Sequence, residues 1–168
     1  MQCGRRSLAQ SVCEGAIEID VMRLMKSTSC ELCSTAGGRP IFDNGRARVV
    51  VVDEPDYPGF IRVIWSAHVK ELTDLSAEER AEFMHVVFAV EEAQRAVLAP
   101  QKMNVASLGN TTPHLHWHLI PRYADDAHFP GPIWSERRRS VSAETLAPRL
   151  ALLAQLEQAI AARLRRAD

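Results

Sequence analysis

A chain of 168 residues with 20 basic and 21 acidic side chains carries a formal net charge of −1, which leaves no electrostatic footprint for nucleic acid or an anionic membrane surface. Its length supports one domain with a sizeable core, and no apolar run approaches a membrane span. Four cysteines without an apolar leader point to reduced thiols in a cytoplasmic setting, not to a disulfide framework.

Residues 1–29 show weak periodicity and are expected to form an N-terminal extension, disordered or a short helix, in which Cys3 and Cys13 have no evident role. The main domain is expected over 30–135. It opens on "CELC", Cys30 to Cys33, a C-x₂-C pair that reads either as metal thiolates or as two core thiols. No His or Cys pair follows at finger spacing, which excludes a compact zinc finger. "IFDNGRAR" carries Asn44-Gly45, a tight-turn signal, so Ile41 and Phe42 are expected to open a sheet. "ARVVVVDEPDYPGFIRVIW" reads as a hairpin, with two β-branched runs around a Pro/Asp/Gly loop.

Ser76 with Glu79 makes a capping box, Pro100 closes the segment, and Phe83, Val87, Val90 and Val97 recur at helical spacing. This predicts a long helix, with His85 on its solvated face beside Glu78 and Glu82. "KMNVASLG" and "HLHWHLI" add two strands. Residues 136–168 read as a charged linker, "ERRRS", and a second amphipathic helix whose regular part begins late because of Pro148. Hairpins in the order β-β-α-β-β-α indicate an α+β domain on an antiparallel sheet of about five strands. Neither GxGxxG nor GxxxxGK[ST] occurs, so Rossmann and P-loop phosphate sites are not supported.

"HLHWHLIPR" sets His114, His116 and His118 at every second position. On a strand these share one face, while Leu115, Trp117 and Leu119 share the other; Pro121 is expected to end the strand. A His-rich exposed face is the plain reading. Two chemical readings stand beside it. Histidines at i and i+2 can share a metal, or a neutral imidazole can act as a nucleophile toward phosphorus.

"PHLHWHLIPR" resembles the signature of the histidine triad (HIT) superfamily of nucleotide hydrolases and transferases, and the similarity runs from about Cys30 to Arg122. The resemblance implies a HIT-like α+β fold, here with an added C-terminal helix, acting as a homodimer on a nucleotide substrate. It implies hydrolysis of a dinucleoside polyphosphate or nucleoside phosphoramidate. His116 would be the nucleophile that forms a nucleotidyl-histidine, His118 the contact to phosphate oxygens, and His114 a supporting position. The alternatives are a nucleotidyltransferase or phosphorylase, whose branch commonly has Gln at the third triad position, a non-catalytic nucleotide-binding module, and a zinc hydrolase using all three histidines.

"GNTTPH" stands where many relatives have Gly-Gln-Ser/Thr-Val-x-His, so Asn110 replaces the Gln and Thr111 matches the hydroxyl residue. By the same resemblance Asp53 would bond the ribose hydroxyls, Ile41 and Phe42 would line the base pocket, and Arg122 would face a phosphate. His128, Phe129 and Trp134 would cap the site of a neighbouring subunit. Cys30, Cys33, His68 and His114 would hold a structural zinc, as in some branches. No organic cofactor is implied.

Overall fold

A computed structural model describes residues 27–165; the expectations for residues 1–26, Cys3 and Cys13 among them, lie outside it. The sheet starts from the turn at Asn44-Gly45. Gly45 takes φ +84°, the left-handed region that a side chain would oppose. The Asp43 carboxylate accepts the Gly45 N–H, and the Asn44 side-chain oxygen accepts those of Arg46 and Ala47. The turn joins β1 (Arg39–Asp43) to β2 (Ala47–Val51), and β2 pairs with β3 (Ile61–Trp65) from Ala47↔Trp65 to Val51↔Ile61. With β4 (Lys102–Ala106) and β5 (His116–Arg122) they form one antiparallel sheet in the order β1-β2-β3-β5-β4.

Alternation along the strands divides the buried residues between two faces. Val49, Val63 and Leu119 enter the main core, whereas Val50 and Ile64 pack on the opposite face with Cys30 and Leu32. These last two belong to the short helix α1 (Glu31–Ser34) and its start. The long helix α2 (Ala77–Leu98) covers the main face. Ser76 Oγ accepts the Glu79 N–H and the Glu79 carboxylate accepts the Ser76 N–H, the reciprocal cap read from the sequence. Phe83, Val87 and Val90 are fully buried, each worth roughly 1.5–3 kcal/mol of burial. Gln94, on the same helix, is buried as well; its amide donates to the carbonyls of Gly59 and Leu119 and ties α2 to the sheet.

Two local expectations are corrected. Pro121 does not end its strand: β5 runs on to Arg122, with Pro121 opposite Met103 of β4. β3 pairs with β5 only as far as Leu119, so position 121 has one side without a ladder partner and tolerates a missing N–H. Pro148 does not delay the C-terminal helix either. It lies inside α3 (Ala143–Ala151), whose start is set by Ser142 Oγ accepting the Thr145 N–H. The helical run breaks at Leu152, and α4 (Leu153–Arg165) then packs on α2 through Leu156, Ile160 and Leu164.

Candidate active site and metal centre

Strand β5 begins at His116, one alternation later than the sequence pattern suggests. His116 stands opposite Ile64 and His118 opposite Arg62, on the face away from α2. His114 precedes the strand and has a separate environment. Its Nε2–H donates to the Trp65 carbonyl at 2.7 Å, which leaves Nδ1 bare and aimed at two cysteines and a second histidine.

The tautomers of the other two rings follow from their partners. A carbonyl only accepts, so the 2.5 Å contact between His116 Nδ1 and the His114 carbonyl places the proton on Nδ1. The His116 Nε2 lone pair then accepts from His118 Nε2–H at 3.0 Å. His118 Nδ1 is consequently bare, and it is buried with no hydrogen-bond partner. All three rings lie below the ordinary histidine pKa because burial disfavours the cation. For His118, burial, then His116 and Arg62, push the value down to about 3. At neutral pH the site presents one nucleophilic ring nitrogen and one N–H donor side by side.

His116 and His118 line a cavity of about 420 Å³ together with Gly109, Asn110, Thr111, Arg62 and Trp134. Gly109 has φ +78°, so the turn that brings Asn110 and Thr111 beside the histidines favours glycine there. A larger hollow of about 630 Å³ lies between the β1–β2 turn and His68 and contains neither His116 nor His118. Size therefore does not locate the chemistry, which needs the imidazole pair.

Cys30, Cys33, His68 and His114 place one donor atom each within 4.8 Å of one another. The His68 and His114 Nδ1 atoms are 3.4 Å apart, and three of the four Sγ–Nδ1 pairs (Cys33 to His68, and Cys30 and Cys33 to His114) lie at 3.4, 3.5 and 3.5 Å. A tetrahedral zinc with bonds of about 2.05 Å to nitrogen and about 2.3 Å to sulfur has N–N and S–N edges of about 3.3 and 3.6 Å. The donor set and its spacing fit that ion. Because His114 has one nitrogen on a carbonyl and the other in this cluster, it has none to share with His116. The reading in which all three histidines bind one metal therefore loses its geometric basis.

The remaining sequence candidates fall differently. Asp53 is exposed and lies outside the cavities beside the histidines, whereas its neighbour Glu54 lines one of them. Phe42, like Ile41, packs against the main core. Arg122 does not reach the cavity. It is 2% exposed, with its guanidinium spent on Asp126, Asn104 and the Gly131 carbonyl. His128 and Trp134 line the hollow of about 210 Å³ behind His118 in their own chain, and Trp134 meets the His118 ring edge-on with centroids 5.1 Å apart. Sequence reasoning missed Asp126, Tyr57 and Arg62. Tyr57 reaches Asp126 and His128 through its hydroxyl, and burial pushes its pKa up.

Residues 36–125 match the family profile described as HIT domain. The chain belongs to the HIT family. Curated relatives include AP-4-A phosphorylase of Mycobacterium tuberculosis, 33% identical over 81 residues; the match covers 45% of this chain and spans only 42% of that protein. Among solved structures, a histidine triad protein from Marinobacter aquaeolei superposes with a TM-score of 0.62 at 25% identity, over 81% of this chain and 99% of its own. One from Bradyrhizobium japonicum gives 0.58 at 26% identity over 71% and 90%. A Zn-bound histidine triad family protein from Mycobacterium smegmatis gives 0.51 at 27% identity over 78% and 97%. These HIT relatives share the five-stranded antiparallel sheet and packed helix, so the α+β expectation holds.

Proposed function

We propose that this HIT protein hydrolyses a nucleoside 5′-phosphate derivative, a dinucleoside polyphosphate or a nucleoside phosphoramidate, and releases a nucleoside monophosphate. The observation that carries the reading is His116, which lines the cavity and whose Nδ1–H is fixed on a backbone carbonyl, so that Nε2 keeps its lone pair. Nε2 attacks the α-phosphorus; a P–N bond forms as the bond to the leaving group breaks, and that group leaves as an anion or takes up a proton from solvent. Water then attacks phosphorus and gives up a proton to solvent, the P–N bond breaks, and the monophosphate leaves with neutral His116 restored. His118 Nε2–H, freed from His116 as substrate enters, donates to a phosphate oxygen where charge collects. Asn110 and Thr111 line the same cavity and add polar contacts to the phosphate or leaving group.

A second reading rests on the likeness to AP-4-A phosphorylase: inorganic phosphate takes the place of water. The two differ in product. Diadenosine tetraphosphate plus water yields AMP and ATP, whereas phosphorolysis yields ADP and ATP. With His118 where the transferase branch commonly has Gln, the expected result is AMP and ATP whether or not phosphate is present. ADP formed only with phosphate would replace hydrolysis by phosphorolysis.

The same reading assigns a structural zinc to Cys30, Cys33, His68 and His114. It is supported by the donor spacing and by the Zn-bound relative. Four protein ligands leave no open position for substrate, so the ion would clamp α1 to the loop before β5 and supply no chemical step. Purified protein is expected to retain about one zinc per chain, to lose it in Cys33→Ser, and to melt at lower temperature after chelation. Metal analysis showing no zinc in wild type would remove the assignment. Reduced Cys30 and Cys33 suit the cytoplasm. A homodimer is part of the reading, with Phe88 exposed on α2 and β4 at the sheet edge as the surfaces that support it.

A further inference from the structure

The sheet face that carries His116 and His118 carries a third polar side chain, Arg62 of β3, directly opposite His118 in the strand register. Arg62 lines both the cavity that holds His116 and the hollow behind His118. Its guanidinium is thinly satisfied. Nη1 donates to the Gly37 carbonyl at 2.8 Å, and Nε is buried without a hydrogen-bond partner. Among the described residues no carboxylate forms an ion pair with it; Glu31, at the cavity's edge, acts on it only through its field.

An arginine keeps its charge in a protein, and withdrawing a guanidinium from water with a donor unused is costly. An apolar residue at this mid-strand position would carry no such cost. The surroundings say what the charge is for. His116 and His118 share one proton between their facing nitrogens, and among the described residues no other Lys or Arg lines either hollow. Among the described residues Arg62 is therefore the one formal cation lining the cavity and the hollow behind His118, where the proposed reaction places the phosphate.

We propose that Arg62 is a substrate-binding residue whose guanidinium, which lines the cavity, turns its unused Nε–H out to grip the phosphate oxygens of the nucleotide, so that the site selects the anionic ester over the bare nucleoside. This rests on the nucleotide reading above and names the group that neutralises the substrate's charge. A guanidinium suits the task because its edge donates two parallel hydrogen bonds to phosphate, which a lysine cannot.

The test compares binding of AMP and adenosine, followed by tryptophan fluorescence because Trp134 packs on His118. Wild type should bind AMP at least about 10-fold more tightly than adenosine. In Arg62→Leu the two affinities should converge to within about threefold with adenosine binding unchanged, and Arg62→Lys should keep an intermediate preference. Melting curves confirm that both variants are folded. An unchanged AMP-to-adenosine ratio in folded Arg62→Leu overturns the proposal. So does a parallel loss of both affinities, which would mark a role in the base pocket or scaffold. Wild type that binds neither compound removes the nucleotide reading itself, a different result from one in which only the Arg62 variants fail to respond.

Discussion

His116→Asn should abolish nucleotide release while leaving the fold in place. The imidazole contributes one hydrogen bond to the His114 carbonyl and one to His118, and the amide of Asn can still donate locally, so the melting temperature should change little. The chemistry has no such substitute. Asn offers no lone pair of imidazole basicity to phosphorus, and removal of a covalent nucleophile costs at least about 10³-fold in kcat. AMP binding should persist, because the proposed phosphate contacts from Arg62, His118, Asn110 and Thr111 are all kept. A quench of wild type with labelled substrate should leave nucleotide on the chain through an acid-labile P–N bond, and the variant should carry none. Release within about 10-fold of wild type would remove the nucleophile role. The contrasting variant is His114→Ala, whose imidazole lines neither hollow beside His116 and His118 and whose carbonyl to His116 is kept; its loss of activity should track loss of zinc and of folded protein.

How far the sequence foretold this arrangement depends on whether each contact has a local signature. The Asn44-Gly45 turn, the Ser76–Glu79 cap and the two β-branched runs are local chemistry, and each appears where the pattern put it. The His114 cluster could be read only through resemblance, because Cys30, Cys33, His68 and His114 come from three separate stretches that the fold brings within 4.8 Å. Arg62 was invisible for a physical reason. In "IRVIW" it occupies the polar phase of an alternating strand, the same phase that a solvent-facing arginine would have, and only the placement of β5 beside β3 turns that face into a cavity wall. Gln94 likewise sits in an amphipathic helix where polarity suggests exposure, yet it is buried to satisfy two carbonyls. Arg122 was legible as a cation next to the triad, but its partner Asp126 lies four residues on in a loop, where no periodicity reveals the pairing.

Asp126→Ala should be among the most destabilising single substitutions outside the apolar core. Asp126 and Arg122 are 1% and 2% exposed and meet through two hydrogen bonds, Nε to Oδ2 at 2.6 Å and Nη2 to Oδ1 at 3.0 Å. The carboxylate also accepts backbone N–H groups of His128 at 3.0 Å and Phe129 at 2.7 Å, with a longer contact from Tyr123 at 3.3 Å. Burial alone would raise its pKa, but the hydrogen bonds from Arg122 and the backbone outweigh it and hold the carboxyl below its usual value. The stabilisation is thus present at neutral pH and is lost as pH falls through that lowered pKa. Removing one partner of a buried pair costs about 3–5 kcal/mol, measurable as a shift in urea midpoint. The double variant Arg122→Met/Asp126→Leu discriminates the causes. If the stranded guanidinium accounts for the loss, the double variant should recover most of it. If the backbone donors matter as much, stability should stay low, because Leu cannot accept from His128 and Phe129. The second outcome is expected, since the loop leading from Asp126 to Trp134 is anchored by those donors. The same variant should weaken AMP binding, because His128 and Trp134 form the wall behind His118 and lose their anchor with it.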